Sequence, residues 1–307
     1  MAIQKIIGSE TGDVFDPVQF IDLYPAPVTA YVIELNGGDD NLTVSELIPT
    51  QVDAGAGNDT VTLSDAADAA FGGDGNDTIS TGGGDDWIDG GADNDIISAG
   101  LGNDYILAGD GDDVVNAGNG DDSVFGGNGA DILNGAGGND YIDGGHGNDI
   151  IDGGSGDDFI FGRKGNNDLF GGAGNDTVNT GDHTSSADGG TGDDLIVARL
   201  KKGGDHTLTG GEGADTFEFV YQTSKKSSDL TITDFELGVD DMIIGGMAGQ
   251  DWLSANLAFA DAFGLDIVTE VDGNAVLEIG FNDSITFEGV SEAEFMAFYT
   301  SEPLIVA

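Results

Sequence analysis

The sequence predicts an all-β solenoid, a chain wound into stacked coils of short strands and tight turns. A nine-residue unit of the form GGxGxDxUx, with U a large aliphatic residue, runs unbroken over residues 72–197. Across its fourteen copies position 4 is Gly in twelve, position 6 is Asp in twelve and position 8 is Ile, Leu or Val in thirteen. Self-similarity at one fixed, short period is the mark of a repeat architecture. The last residues of each unit, Thr78-Ile79-Ser80 in the cleanest copy, alternate as a half-buried strand does.

Gly at positions 1, 2 and 4 admits the positive φ of a tight turn. In the strand that follows, position 8 points inward and positions 7 and 9 point outward. Two units then close one coil of 18 residues, with two strands and two turns. Upstream, 54–62 is a further unit. The next nine residues keep the phase, with Asp68 at position 6, but lose the glycines, and 37–44 looks like an opening unit shifted by one. Residues 1–35, with Pro17, Pro25 and Pro27, are read as a short N-terminal cap, which a solenoid needs to close its end. The roll is assigned to 36–218. After Val197 it has three extra residues, a weakened unit with His206 where Asp belongs, and a good unit at 210–218. Residues 219–307 are read as a β-rich C-terminal capping region. There a hairpin is expected around Asp272-Gly273-Asn274, a strand over 284–288, and a short helix from Ser291 with Glu294 completing a capping box.

Composition narrows the function. There are 58 acidic against 8 basic residues, a formal charge of −50, and no cysteine. A compact chain this acidic repels itself unless cations neutralise it. Nucleic acid is excluded as a partner for want of a basic patch. No apolar run reaches membrane-spanning length, and Met1-Ala2-Ile3-Gln4-Lys5 lacks the core of a cleavable signal peptide. His146, His183 and His206 lie scattered in loops without zinc-ligand spacing, and HExxH and GxSxG are absent. No catalytic constellation is expected, and the N-terminal residues leave no room for an enzyme domain.

The core of single inward aliphatics is thin, so metal binding is the natural source of further stability. One turn column carries Asp86, Asp104, Asp122, Asp140, Asp158, Asp176 and Asp194. The other carries Asp77, Asp95, Asp113, Asp131 and Asp149 and then fails at Asn167 and Ser185. Calcium, a hard cation that takes six to eight oxygens, suits such columns. All but one of the basic residues are Arg163, Lys164, Arg199, Lys201, Lys202, Lys225 and Lys226, and the first pair falls in the unit of Asn167, which raises the reading that fixed positive charge replaces an ion there.

The nonapeptide resembles the RTX, or hemolysin-type, calcium-binding repeat. That resemblance implies a calcium-loaded parallel β-roll, a right-handed β-solenoid, with several Ca2+ ions between neighbouring turns of one column. The position-6 carboxylates and backbone carbonyls would hold them. Carried onto this sequence, the ligands are the aspartates just named together with Asp59 and Asp215, with Asp234 and Asp240 as weaker candidates. The segment 230–240 resembles the part that closes the roll in this family. The resemblance also implies export through type I secretion by an uncleaved C-terminal signal, and hence a secreted or cell-surface protein of a Gram-negative bacterium.

The outward positions suggest partners. Trp87, Tyr105, Tyr141 and Phe159 at position 7, joined by Phe125 and Phe161 from position 9, form an aromatic stripe on one face. Thr78, Ile96, Val114, Ile132 and Ile150 form an aliphatic stripe on the other. Apolar stripes of this extent mark contact surfaces unless the chain's own flanks cover them. The expectation is a non-enzymatic protein that folds on calcium outside the cell and self-assembles, as a homo-oligomer, filament, surface layer or matrix. The alternatives are an adhesin-like module holding glycans or a cell surface through the aromatic residues, and the calcium-binding portion of a secreted RTX enzyme. Ice binding is set aside, because position 3 (Asp74, Gly83, Ala92, Leu101, Asp110, Asn119) offers no rank of small polar residues.

Overall fold

A computed structural model describes residues 3–8, 12, 14–15, 30–200, 204–221, 229–245, 268–278 and 284–301. The three prolines of the N-terminal cap, the lysines at 201, 202, 225 and 226, and the last six residues lie outside them. The chain divides into two compact units, Met1–Gly154 and Ser155–Ala307.

In the first unit successive strands alternate between two parallel sheets. One sheet runs through Ile3–Ile7, Ala30–Glu34, Thr50–Ala56, Ala69–Asp74, Trp87–Ala92, Tyr105–Asp110, Ser123–Asn128 and Tyr141–His146. The other runs through Val14–Phe15, Asn41–Thr43, Thr60–Thr62, Thr78–Gly83, Ile96–Leu101, Val114–Asn119 and Ile132–Gly137. Strand partners are one 18-residue coil apart, as in Ile96↔Val114 and Tyr105↔Ser123. The step is one residue longer at Asn41↔Thr60, where the opening unit is shifted.

The strands are longer than the three alternating residues predict. Thr78–Gly83 spans positions 7 to 9 and continues through the first three residues of the next unit. Those glycines remain in the ladder, as Gly100↔Gly118 demonstrates. Only positions 4 to 6 make the turn. Position 1 does not take positive φ, whereas positions 2 and 4 do, as at Gly73 (112°) and Gly75 (120°). A Cβ at either would strike a carbonyl oxygen one coil earlier, Gly55 O or Gly57 O, so close stacking needs glycine there. The core is the predicted file of position-8 side chains: Ile79, Ile88, Ile97, Ile106, Val115, Val124, Leu133 and Ile142 are fully buried, with Ala99, Ala108 and Ala117 of position 1 beside them.

The second unit repeats the arrangement through Phe159–Phe161, Thr177–Asn179, Leu195–Leu200, Thr216–Tyr221 and Asp241–Gly245 in one sheet. Its other sheet runs through Asp168–Ala173, Ser185–Thr191, His206–Glu212 and Asp229–Ile232. The three extra residues after Val197 lengthen the step to 21, as in Ser185↔His206 and Leu195↔Thr216. The expected hairpin forms between Val268–Val271 and Asn274–Glu278, and Ser284–Phe287 joins it to Asp229–Ile232. The helix Glu292–Ser301 starts with the expected capping box. Glu294 N–H donates to Ser291 Oγ at 3.3 Å, and Ser291 N–H donates to Glu294 Oε2 at 3.0 Å. Phe295 of this helix ends a run of tilted and edge-on ring contacts, Phe217–Phe235–Phe287–Phe295.

Candidate metal centre

The repeat fixes every position-6 aspartate at the end of a turn, where the chain re-enters the sheet. All those described are buried, at 1–3% exposure from Asp77 to Asp215. Their two oxygens have different fates. Oδ1 accepts the amide N–H of the position-6 residue one coil earlier. In one column Asp77, Asp95 and Asp113 donate in turn to Asp95, Asp113 and Asp131, at 2.8, 2.8 and 3.0 Å. In the other, Asp86 and Asp104 donate to Asp104 and Asp122 at 2.9 and 2.7 Å. The second unit continues this pattern from Asp158 through Asp176, Asp194 and Asp215 to Asp240.

Oδ2 is buried and accepts no hydrogen bond in Asp59, Asp68, Asp77, Asp86, Asp95, Asp104, Asp113, Asp122, Asp131, Asp176 and Asp194. It turns toward the first residue of its own nonapeptide, which lies in the preceding strand. A Cβ on Gly126 would lie 2.5 Å from Asp131 Oδ2 and 2.7 Å from the carbonyl oxygen of Gly144. At Gly72, Gly90, Gly126, Gly135, Gly171 and Gly189 a carboxylate oxygen and a carbonyl oxygen of the next coil thus face the same point, two acceptors together. A buried, unsatisfied carboxylate oxygen is strongly destabilising unless a cation or proton meets it.

The titration behaviour agrees with this geometry. Burial pushes the carboxyls of Asp68, Asp95, Asp122, Asp131 and Asp194 up to about 7, and those of Asp77, Asp104, Asp140 and Asp149 to about 6. For Asp95 the carboxylates of Asp77 and Asp113 push the same way, against the lowering bond from Asp77 N–H. Burial is also the main cause of the upward shift at Asp59, Asp86, Asp113, Asp176, Asp215 and Asp240.

The donor set fits calcium: hard, anionic oxygens in regular columns, with carbonyl oxygens alongside. Among the described residues no three carboxylate or imidazole side chains gather around one point. An ion held in these turns would take the rest of its oxygens from backbone carbonyls, side-chain amides or water.

Several residues depart from the reading of the sequence. Asp40 and Asp68 join the two columns: Asp40 N–H donates to Asp59 Oδ1 (2.7 Å), and Asp68 receives Thr50 N–H on Oδ1 (2.7 Å) and passes its own N–H to Asp86 Oδ1 (2.7 Å). Asp68 kept the phase in sequence but lacked the glycines that mark a unit. A second ladder, on position 5, was not anticipated. Its side-chain oxygens accept N–H groups from the following coil, as in Asn94 N–H to Asn76 Oδ1 and Asp112 N–H to Asn94 Oδ1, both 2.8 Å. Its signal was present, since position 5 is Asn or Asp in twelve of the fourteen units. Asp234 uses both oxygens on backbone amides of Gly210 and Gly211. Asp240 receives Asp215 N–H on Oδ1 and Glu236 N–H on Oδ2. His146 and His206 are not in loops; His146 closes the strand Tyr141–His146, and His206 opens the strand His206–Glu212 and is buried. Arg163 places its guanidinium over the Phe161 ring, 4.9 Å from the centroid.

On the outer faces, Trp87, Tyr105, Phe125 and Tyr141 form a continuous ladder with centroids 4.5, 5.4 and 5.7 Å apart. Phe125 fills the step that Ser123 leaves. Phe159 is exposed. On the opposite sheet Ile96, Val114, Ile132 and Ile150 are each close to half exposed. No helix among the described residues is long and apolar enough to cross a membrane.

Stacked parallel coils with columns of buried turn carboxylates define a calcium-binding β-roll. The RTX calcium-binding nonapeptide repeat (4 copies) matches residues 51–79, 71–106, 99–133, 107–142, 125–160 and 152–184. Residues 51–184 are thus an array of RTX calcium-binding repeats, and Ca2+ in multiple copies is their ligand. Among solved structures, the chain is similar to a hyperactive, Ca2+-dependent, β-helical antifreeze protein from an Antarctic bacterium. The two share 19% identity over 91% of this chain and 96% of that one, with a TM-score of 0.47. It is also similar to the extracellular lipase LipA of Serratia marcescens, at 20% identity over 71% of this chain and 41% of that one, with a TM-score of 0.23. No curated protein matches the chain.

Proposed function

We propose that this is a non-enzymatic, secreted protein whose roll forms on calcium outside the cell and then self-assembles through its outer faces. The position-6 aspartates from Asp59 to Asp215 would hold the ions, with Asp40 and Asp68 extending the columns. The observation that carries this reading is the file of buried Oδ2 atoms without a hydrogen-bond donor. Without a cation each turn stacks like charge on like charge in a dry place, and the unfolded, hydrated chain is favoured. Bound calcium supplies the compensating charge. The residues do the rest: Oδ1 fixes each carboxylate on the coil before it, and the glycines let neighbouring turns approach. Binding free energy is then folding free energy. A chain that stays unfolded where calcium is scarce and folds where it is abundant suits export ahead of folding. Such a route agrees with the family's type I secretion and a C-terminal signal within 219–307.

Self-assembly is supported by the aliphatic row, whose members pair directly across neighbouring strands, Ile96↔Val114↔Ile132, while staying about half exposed. The glycan-binding alternative has less support. Trp87 and Tyr105 stack on each other at an interplanar angle of 24°, and Tyr105, Phe125 and Tyr141 contact one another at a tilt, which leaves less ring face for a sugar. Circular dichroism and sedimentation velocity with calcium and with chelator test both parts. Strand signal and large species that appear only with calcium are expected. Full strand signal in chelator would remove the calcium-gated fold, and a compact monomer in calcium would remove the assembly.

A further inference from the structure

One column of turns in the second unit is built differently from all the others. Where the aspartate turns present an acceptor at position 6, three successive turns of this column present a donor. Asn167 Nδ2 donates to Gly162 O at 2.7 Å. Ser185 Oγ donates to Thr180 O at 3.3 Å and receives Asn167 N–H at 3.2 Å, taking the part that Oδ1 plays elsewhere. His206 Nε2 lies 3.4 Å from Arg199 O, a contact that requires the ring nitrogen to donate. All three side chains are buried. The Asn167 amide also occupies the place of the orphaned oxygen: a Cβ on Gly162 would lie 2.6 Å from Nδ2, as a Cβ on Gly171 would lie 2.6 Å from Asp176 Oδ2.

We propose that Asn167, Ser185 and His206 form a metal-free spine, in which a side-chain donor bonded to a backbone carbonyl earlier in its own chain segment (Gly162 O, Thr180 O or Arg199 O) stands where the aspartate turns leave a carboxylate oxygen without a donor. In the second unit calcium then enters only the column of Asp158, Asp176, Asp194 and Asp215. The opposite column is joined by protein hydrogen bonds at any calcium concentration. An amide or hydroxyl brings a donor without a charge, so the turn needs no counter-ion. This inference rests on the reading of the position-6 aspartates as calcium ligands.

The test counts bound calcium on the full chain by equilibrium dialysis. The chains are the wild type, an Asn167→Asp/Ser185→Asp double variant, and Asp176→Asn as a control. The double variant is expected to bind at least one more ion than the wild type, and Asp176→Asn to bind fewer. An unchanged count in the double variant with a reduced count in Asp176→Asn overturns the spine and leaves the ligand reading intact. An unchanged count in Asp176→Asn overturns the ligand reading, and the spine with it. Should the double variant fail to fold, hydrogen exchange of the wild type during calcium withdrawal decides. The amide of Asn167 should keep its protection longer than those of Asp77, Asp95 and Asp113, and loss at equal calcium overturns the proposal.

Discussion

At Asp77, Asp95 and Asp113 the carboxylate is divided between two tasks: one oxygen binds the preceding coil and the other is left without a protein donor. The turn backbone imposes its own demands. Ala136 occupies a position-2 site with φ of 74°, where every other unit of 72–197 except the one with Arg163 places Gly and where a side chain is disfavoured. Ala136→Gly should therefore raise stability by about 0.5–1 kcal/mol, the strain relieved less the entropy of glycine. Thermal melting in calcium reads this, and a lowered midpoint contradicts it. At this scale the sequence displays which residues recur. Position 6 was legible because Asp there is nearly invariant from unit to unit. Position 5 was as regular but mixes Asn with Asp, and a reading tuned to charge passes over it. Which carboxylate oxygen goes unpaired was not legible, because that depends on the position of the preceding amide.

The elements show how a period becomes a surface. Inward position-8 residues and outward position-7 residues follow from strand alternation, and the sequence displays both. Strand length did not follow, because glycines read as turn formers while their N–H and C=O groups still pair in the ladder. The C-terminal elements were legible for local reasons: Asp272-Gly273 takes the positive φ of a hairpin turn (52° and 87°), and Ser291 and Glu294 satisfy each other's N–H groups. Ser291→Ala should destabilise the helix Glu292–Ser301 by about 0.5–2 kcal/mol. The effect should appear as faster hydrogen exchange in its first turn, with the roll unaffected. The cluster of Phe217, Phe235, Phe287 and Phe295 was not foreseen, since its members lie far apart in sequence.

For the molecule as a whole, acidity and calcium should act as substitutes. The raised carboxyl pKa values mean that the folded roll binds more protons than the unfolded chain between about pH 4 and 7. Its metal-free stability therefore falls as pH rises through that window and is recovered as pH drops. In chelator, strand signal should grow on acidification from about pH 7.5 to 4.5. In calcium, acidification should weaken ion binding, because protons compete for the same oxygens. A steady loss of strand signal on acidifying the chelated chain would contradict the assignment of the repulsion to these carboxylates. The two hydrogen-bond ladders, one pointing to the coil before and one to the coil after, have a further consequence for how such a gene can change length. Removing Ala108 through Phe125 leaves each donor facing an equivalent acceptor and each outer residue on its own face. Removing only nine residues, Ala108 through Asn116, still sets aspartate above aspartate but exchanges the faces downstream, so that Ile132 comes to lie in the row of Tyr105. The turns tolerate edits in multiples of nine; the outer faces tolerate only multiples of eighteen. Counting insertions and deletions among relatives would therefore reveal whether selection acts on metal binding alone or also on the pattern shown to the outside.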